Sequence, residues 1–156
     1  FTLLLVFVCH LGYAQGINGL FNEFGSEKNA DCVKVSSFMM SLGKMFAGHD
    51  EDAKIIRKIK SIKVLDLESC TASVKERFNK KVNKLNLKGY DELMRVNDEG
   101  EKVRVLMKTK KETIRELLFV CTGKEDCTLV QINGKFTKDD IDKLVNQETG
   151  KKHGRR

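Results

Sequence analysis

Proline and tryptophan are absent from this 156-residue sequence, and aromatic residues make up only 7% of it. At average usage about eight prolines would be expected, so a proline-rich linker or stalk is excluded. No stretch reaches the roughly 20 consecutive apolar residues that a membrane-spanning helix needs. The glycine-rich phosphate-binding loops and the G-x-S-x-G turn of several enzyme classes are missing as well. These absences favour one compact domain without a recognisable catalytic motif.

The charge and hydrophobicity of the chain are those of a folded, basic domain. It has 29 Lys and Arg residues against 22 Asp and Glu residues, a formal net charge of +7, and 40% of its residues are hydrophobic. A chain of this length buries enough apolar surface to fold without disulfides. Because charges of both signs are interspersed, long-range disorder is not expected.

The first 14 residues form an apolar run that ends in small residues at Gly12 and Ala14. Such a run before a small-x-small site is typical of a secretory signal peptide, so we predict that residues 1–14 are removed before Gln15. No Met or basic segment precedes the run, and we expect that a few residues precede Phe1 in the full protein. Lipidation of Cys9 is the alternative, although a bulky residue precedes it where lipoproteins carry a small one. We predict an exported protein of the periplasm or cell envelope, or a secreted one.

The hydrophobic patterning predicts one α+β domain over residues 15–149 and a basic, flexible tail over 150–156. After a short helical or irregular lead-in, the expected order of elements is β-α-α-β-α-β-β-β-β-α. The predicted strands are 32–38, 62–67, 92–96, 102–108, 113–121 and 127–132, and the predicted helices are 39–47, 50–60, one capped by Thr71 or Ser73 that ends near Gly89, and one opened by Thr137 and Asp140. Runs of strands beside segregated helices indicate two layers, a mostly antiparallel sheet of about six strands with the helices packed on one face.

Two of the predicted helices carry an apolar stripe. In the helix over 50–60, the residues expected to be buried are Ile55, Ile56 and Ile59. In the helix that follows Thr71, apolar residues recur at intervals of three and four, which is an amphipathic pattern made by Val74, Phe78, Val82 and Leu85. We expect both stripes to face the hydrophobic core.

Few residues are suited to catalysis or metal binding. Beyond the signal segment the sequence has two histidines, His49 and His153, and no C-x-x-C pair, so we predict no metal site and no cofactor. His49 is the one candidate base, and capping of the adjacent helix explains its surroundings. Asp66 and Glu68 would lie on one strand face like a glycosidase pair, but that spacing arises by default on an exposed strand. We predict no catalytic residue, and the alternative is an envelope hydrolase with a Cys/His or carboxylate site.

Four cysteines follow the signal segment, an even number for an oxidising compartment: Cys32, Cys70, Cys121 and Cys127. Four cysteines allow three pairings. A five-residue loop is expected to place Cys121 opposite Cys127, within bridging range across two strands. Cys32 and Cys70 could also pair if their strands are neighbours. The alternative is that all four are free and buried.

One predicted helix is rich in basic residues: Lys75, Arg77, Lys80, Lys81, Lys84 and Lys88. Such a cluster could attract anionic lipid, lipopolysaccharide or acidic glycans. The alternative is a solvated polar face opposite the apolar stripe, which is the usual state of an amphipathic helix. Nucleic acid is not expected as a partner, because the chain is predicted to be exported and shows no reading motif or stacking aromatics.

Four segments resemble the family DUF4252, a domain of unknown function: Ile59–Leu65, Gly89–Val96, Glu101–Arg104 and Ile114–Leu118. The resemblance extends from about Val33 to Leu144. It implies a small exported protein of Bacteroidetes-type bacteria in a periplasmic or outer-envelope setting. It implies no activity and no catalytic residue, because the family is functionally uncharacterised.

The hypothesis that these observations favour is a non-enzymatic binding or interaction domain of the cell envelope. Its partner would be a protein or an anionic envelope component, bound by the sheet face that helices leave uncovered or by the basic helix. The alternatives are the envelope hydrolase and a peripheral membrane protein that attaches through the lysine-rich helix. Contact with a membrane would be peripheral at most, and the oligomeric state does not follow from the sequence.

Overall fold

The computed structural model of the chain describes residues 16–36 and 51–143. These ranges contain helices α1 (Ile17–Phe24), α2 (Glu51–Lys58) and α3 (Ala72–Asn83) and strands β1 (Asp31–Val35), β2 (Ile59–Asp66), β3 (Asp91–Asp98), β4 (Glu101–Lys110), β5 (Thr113–Thr122) and β6 (Thr128–Phe136). A further helical segment begins at residue 138 and is described as far as 143. The predicted signal peptide, the predicted helix over 39–47 and the predicted tail lie outside the described residues.

The six strands form one antiparallel sheet in the order β1-β2-β6-β5-β4-β3. Strands β3 to β6 follow one another as a meander, and β2 adds to the far side of β6. The predicted α+β class, with a mostly antiparallel sheet of about six strands, is confirmed. Strands β1 and β3 are the two edges.

Helices α1 and α3 cover one side of the sheet, which we call the covered face. Their apolar side chains form a core with alternate residues of the central strands, including Leu65, Leu118 and Leu129, each fully buried. The rings of Phe24 and Phe78 meet edge to face with centroids 5.3 Å apart, which joins α1 to α3. Burial of this cluster is the main stabilising contribution to the fold.

Helix α2 lies against the opposite side of the sheet, which we call the open face. Ile55 packs there with Leu117 and Phe136 in a second, smaller cluster. Leu117 and Leu118 are neighbours in β5 and point to opposite faces, so the two clusters are separated by the sheet itself. The prediction that all helices pack on one face is therefore wrong for α2.

The predicted helix ends are confirmed in part. Thr71 caps α3 by accepting a hydrogen bond from the Val74 N–H, and Thr137 and Asp140 form the predicted reciprocal cap. Helix α3 ends at Asn83, earlier than predicted, because the chain continues as a non-helical segment whose Leu85 still packs against the core.

Two further details differ from the sequence pattern. Gly89, with φ +88°, forms the turn into β3 and does not end α3. Ile56 is 40% exposed, and Ile59 belongs to β2, so of the predicted stripe only Ile55 is a buried residue of α2. A helix of only eight residues directs one narrow side to the sheet.

Candidate interaction surface

One row of apolar side chains crosses all six strands on the open face. The cross-strand pairing aligns one residue from each strand, in the order of the sheet: Val33, Val64, Val130, Phe119, Val105 and Met94. We call this set the apolar row. Residues that pair directly across strands point to the same face, so the six side chains form a continuous line.

Much of the apolar row is accessible to solvent. Val33 is 54% exposed, Phe119 37% and Met94 49%, which places exposed members at both ends and in the middle, whereas Val64 and Val130 are half-buried and Val105 is buried. Single exposed apolar residues are ordinary on protein surfaces, whereas a contiguous patch marks an interaction site or a ligand-binding groove. The row is therefore the feature of the described residues that most favours a binding role.

Two different borders limit the apolar row along the strands. On one side a parallel row of apolar residues, which includes Leu117 and Ile132, packs under Ile55 of α2. On the other side, the next row is polar at its β1 end, where it contains Asp31, Asp66 and Thr128. It is apolar at the opposite end, in β4 and β3, where it contains Val103 and Val96. We call the apolar row together with Val103 and Val96 the open strip.

Sequence reasoning named the sheet face that helices leave uncovered as a candidate partner surface, but it did not identify the residues of the open strip. The signal was present in β5, where Leu117, Leu118, Phe119 and Val120 form an uninterrupted apolar run. Strands that are apolar on both faces are typically covered on both. Such runs predict a second contact surface beyond the one made by α1 and α3.

The predicted disulfide between Cys121 and Cys127 rested on an incorrect register. Cys121 pairs with Thr128 and with Val103, in the same row of the open face as Val103 and Val96, whereas Cys127 is fully buried in the core of the covered face. The Cys127 thiol donates to the side-chain oxygen of Asn79 at 3.2 Å and to the Gly123 carbonyl at 3.4 Å. The two sulfur atoms thus belong to opposite faces of the sheet.

Cys32 and Cys70 satisfy one condition of the second predicted disulfide. Their strands are neighbours, since β1 pairs with β2, and both side chains pack into the core of the covered face. All four cysteines are thiols in the structure. Cys70 donates a weak hydrogen bond to the Lys28 carbonyl at 3.5 Å. The 32–70 disulfide stays a prediction.

The surroundings of three cysteines do not favour a reactive thiolate. Burial raises the pKa of the Cys70 thiol, and Glu27 raises it further. Burial likewise raises the pKa of Cys121 and of Cys127. A nucleophilic cysteine needs a lowered pKa, so these three sites lack the electrostatics of a thiol hydrolase. His49, the candidate base, lies outside the described residues.

The other candidate groups do not assemble into a site. Glu68 lies beyond the end of β2, and its backbone N–H donates to the Asp66 carboxylate at 2.8 Å, so the two carboxylates do not share a strand face as predicted. No group of three or more His, Cys, Asp or Glu side chains within 16–36 and 51–143 is arranged to hold a metal ion.

The six basic residues of the predicted anionic-partner surface do not form one open patch. Lys75 is only 8% exposed, and Lys84 and Lys88 are exposed near the end of α3 and beyond it. The remaining three lie within ion-pair distance of carboxylates: Arg77 with Glu27, Lys80 with Glu76 and Lys81 with Glu23. Because two of those carboxylates belong to α1 and the turn after it, these pairs hold α3 against its neighbour. An anionic partner on this surface stays a prediction.

A cleft of about 480 Å³ lies between α2 and the helical segment over 138–143. Its centre is the ion pair between Lys58 and Asp140, whose closest atoms are 2.6 Å apart. Burial alone would raise the pKa of Asp140, but hydrogen bonds from Lys58 and Thr137 hold it below its ordinary value. These contacts fix the helical segment beside α2, and that role accounts for the charged lining.

Buried polar side chains occupy one end of the covered face. The Glu116 carboxylate accepts hydrogen bonds from the Tyr90 hydroxyl and from the Gln131 amide, the latter at 2.9 Å. Burial, together with the bond to Glu116, raises the pKa of Tyr90 above its usual range. The phenol therefore stays protonated and acts as a structural donor.

Comparison with known proteins identifies a family and nothing more specific. The family model DUF4252, a domain of unknown function, matches residues 24–144. No curated protein matches the sequence, and no solved structure matches it. Within the described part of the chain, no helix is long and apolar enough to cross a membrane.

Proposed function

Because the chain belongs to the DUF4252 family, whose function is unknown, we propose its role from the surface itself: a non-enzymatic binding domain that holds a partner protein on the open strip. The observation that carries the proposal is the apolar row, six apolar side chains aligned across six strands with both ends exposed. Burial of such side chains contributes about 25 cal/mol per Å² of apolar area removed from water.

The proposed setting is the cell envelope. It is supported by the apolar run of residues 1–14, which has the length and small-residue ending of a secretory signal. Mass spectrometry of the protein isolated from its native cells tests this part directly. A chain that begins at Gln15 in the envelope fraction is expected, and a chain that retains residues 1–14 in the cytoplasm would contradict export.

The binding role is tested by crosslinking in the same cells. A photoreactive phenylalanine analogue replaces Phe119 in one variant and Lys34 in a matched variant. Lys34 is exposed like Phe119, but it pairs with Lys63, which contacts Asn18 of α1, so it points to the covered face. We expect one discrete crosslinked protein, identified by its peptide masses, from position 119 and none from position 34.

Two results would contradict the binding role. Equal crosslinking from both positions would mean that the contacts are unspecific. Crosslinks from position 119 that join only residues of the same chain would mean that the open strip is part of the interior.

A further inference from the structure

The dimensions of the open strip restrict what can cover it. Six strands with about 4.8 Å between neighbours make it roughly 24 Å long, and it is one row of side chains wide, roughly 7 Å, except at Val103 and Val96, where a second row doubles the width. Its planar area is thus on the order of 200 Å², well below the roughly 800 Å² per partner of a stable globular interface. A second copy of the sheet or a broad protein surface would find too little apolar area.

Helix α2 also excludes a flat partner. It packs on the open face through Ile55 and forms a step beside the apolar row. Two sheets pack face to face about 10 Å apart, which is close to the diameter of a helix with its side chains. A sheet approaching the open strip would therefore collide with α2, whereas a rod of helical diameter fits beside it.

The length of the strip agrees with one helix. At 1.5 Å per residue, about 16 helical residues span 24 Å. Helices that pack side by side keep their axes 8–10 Å apart, so such a helix would contact α2 as well as the sheet. The row of aligned Val, Phe and Met side chains contains no charged group, which suits the apolar stripe of an amphipathic helix.

We infer that the partner occupies the open strip with a single amphipathic helix of about 16 residues, which crosses the strands beside α2 and packs its apolar stripe on the exposed Val33, Phe119 and Met94. This inference rests on the proposed function and specifies the chemistry of the partner.

Two synthetic 18-residue peptides of identical composition test the inference by fluorescence anisotropy against the chain that begins at Gln15. One has leucines at helical i, i+3, i+4 spacing, and the other has them at alternate positions. Both have uncharged glutamine at the remaining positions, because the net charge of +7 would attract any acidic peptide. We expect the helical peptide to bind one to one, at least tenfold more tightly than the alternating peptide.

Three substitutions locate the binding site. Phe119→Glu and Met94→Glu should each weaken binding of the helical peptide at least tenfold, because each places a charge under its apolar stripe. Lys34→Glu is the matched control, since Lys34 adjoins Val33 of the apolar row in β1 and is exposed but points to the covered face. Its binding should remain within twofold of the unsubstituted protein.

The outcomes separate the inference from the function on which it rests. Equal binding of both peptides, lost in Phe119→Glu, would overturn the helix and leave the binding role intact. Binding that all three variants retain would place the peptide elsewhere and overturn the inference. If neither peptide binds, the inference is overturned. If, in addition, Phe119→Glu lowers the midpoint of urea unfolding as a core substitution would, the open strip is interior to the protein, and the proposed function fails as well.

Discussion

The two faces of the sheet differ in how far their apolar side chains are covered, although the strands contribute similar residues to both. On the covered face, Leu65, Leu118 and Leu129 are completely buried beneath α1 and α3. On the open face, Val33 and Met94 remain about half exposed, and α2 covers only one end. Among the described residues, the difference lies in where the helices pack. Helices α1 and α3 lie over the covered face, whereas α2 and the segment over 138–143 contact Leu117 and Phe136 beside the apolar row.

Substitution of adjacent residues in β5 tests this comparison with the largest expected effect. Leu118→Ala should lower the free energy of unfolding by about 2–5 kcal/mol, because it leaves a cavity in a fully buried cluster. Phe119→Ala should cost less, about 1–2 kcal/mol, since more than a third of the residue is already in contact with water. Urea denaturation of the two variants measures both values. Equal losses would mean that the two faces are equivalent interior surfaces.

The polar end of the covered face gives the next largest effect. Glu116→Ala removes the acceptor of both Tyr90 and Gln131, and a buried donor without a partner costs about 1–3 kcal/mol. Because burial and the Glu116 bond raise the pKa of Tyr90, the variant should also ionise its phenol at lower pH. Ultraviolet titration reports Tyr90 alone in the chain that begins at Gln15, since the other tyrosine is Tyr13.

A smaller effect is expected at the turns that set the strand register. The β3–β4 turn has Gly100 at φ +90°, whereas the β4–β5 turn has Lys111 and Glu112 at φ 49° and 62° without a glycine. Because glycine adopts positive φ without strain, Glu112→Gly should stabilise the fold by about 0.5–1 kcal/mol. Gly100→Ala, the reverse change in the matching turn, should destabilise it by about 1 kcal/mol. Thermal unfolding of both variants would contradict this reasoning if the two shifts had the same sign.

The sequence predicted the strands and caps better than the surface. Alternating and continuous apolar runs located all six strands in the described part of the chain, and the Thr71 and Thr137 caps follow from local hydrogen-bond chemistry. The end of α3 was not predictable in the same way, because Leu85 keeps the apolar spacing after the chain has left the helix. Periodicity reports which residues are buried and does not by itself distinguish a helix from a packed extended segment.

The long-range features depended on register, which the sequence does not specify. The expected register pairs Cys121 with Cys127, and the observed register pairs it with Thr128, one residue further along. A shift of one residue sends the two thiols to opposite faces of the sheet. The alignment of the apolar row across six strands depends in the same way on five pairings. The sequence of each strand shows that it contains apolar residues. Only the pairing of the six strands shows that the residues of the apolar row lie side by side.

The smallest expected effect concerns the polar side of β3 and its dependence on pH. Hydrogen bonds from Arg95 and then Arg104 lower the pKa of Glu92 to about 2. The carboxylate is thus favoured in the folded state, so its contribution is complete above the ordinary pKa of about 4.5 and is lost as pH falls toward 2. The group is accessible to solvent, which keeps the contribution small.

Glu92→Gln provides the control for this pH dependence. The difference in urea midpoint between the unsubstituted protein and Glu92→Gln should be constant from pH 7 to about 5 and then shrink on acidification. A difference that grows as pH falls would contradict the assigned direction. Binding at the open strip, on the other side of the same strand, should be unaffected by the Glu92→Gln change at neutral pH.

The β-bulge at Leu93 has a consequence for how the protein remains dispersed. Strand β3 is an exposed edge, and an edge strand with apolar residues is a template on which further copies can add to the sheet. The extra residue between Glu92 and Met94 interrupts the regular spacing of backbone donors and acceptors along that edge. An edge interrupted in this way is a poorer template for the addition of further copies than a regular strand would be.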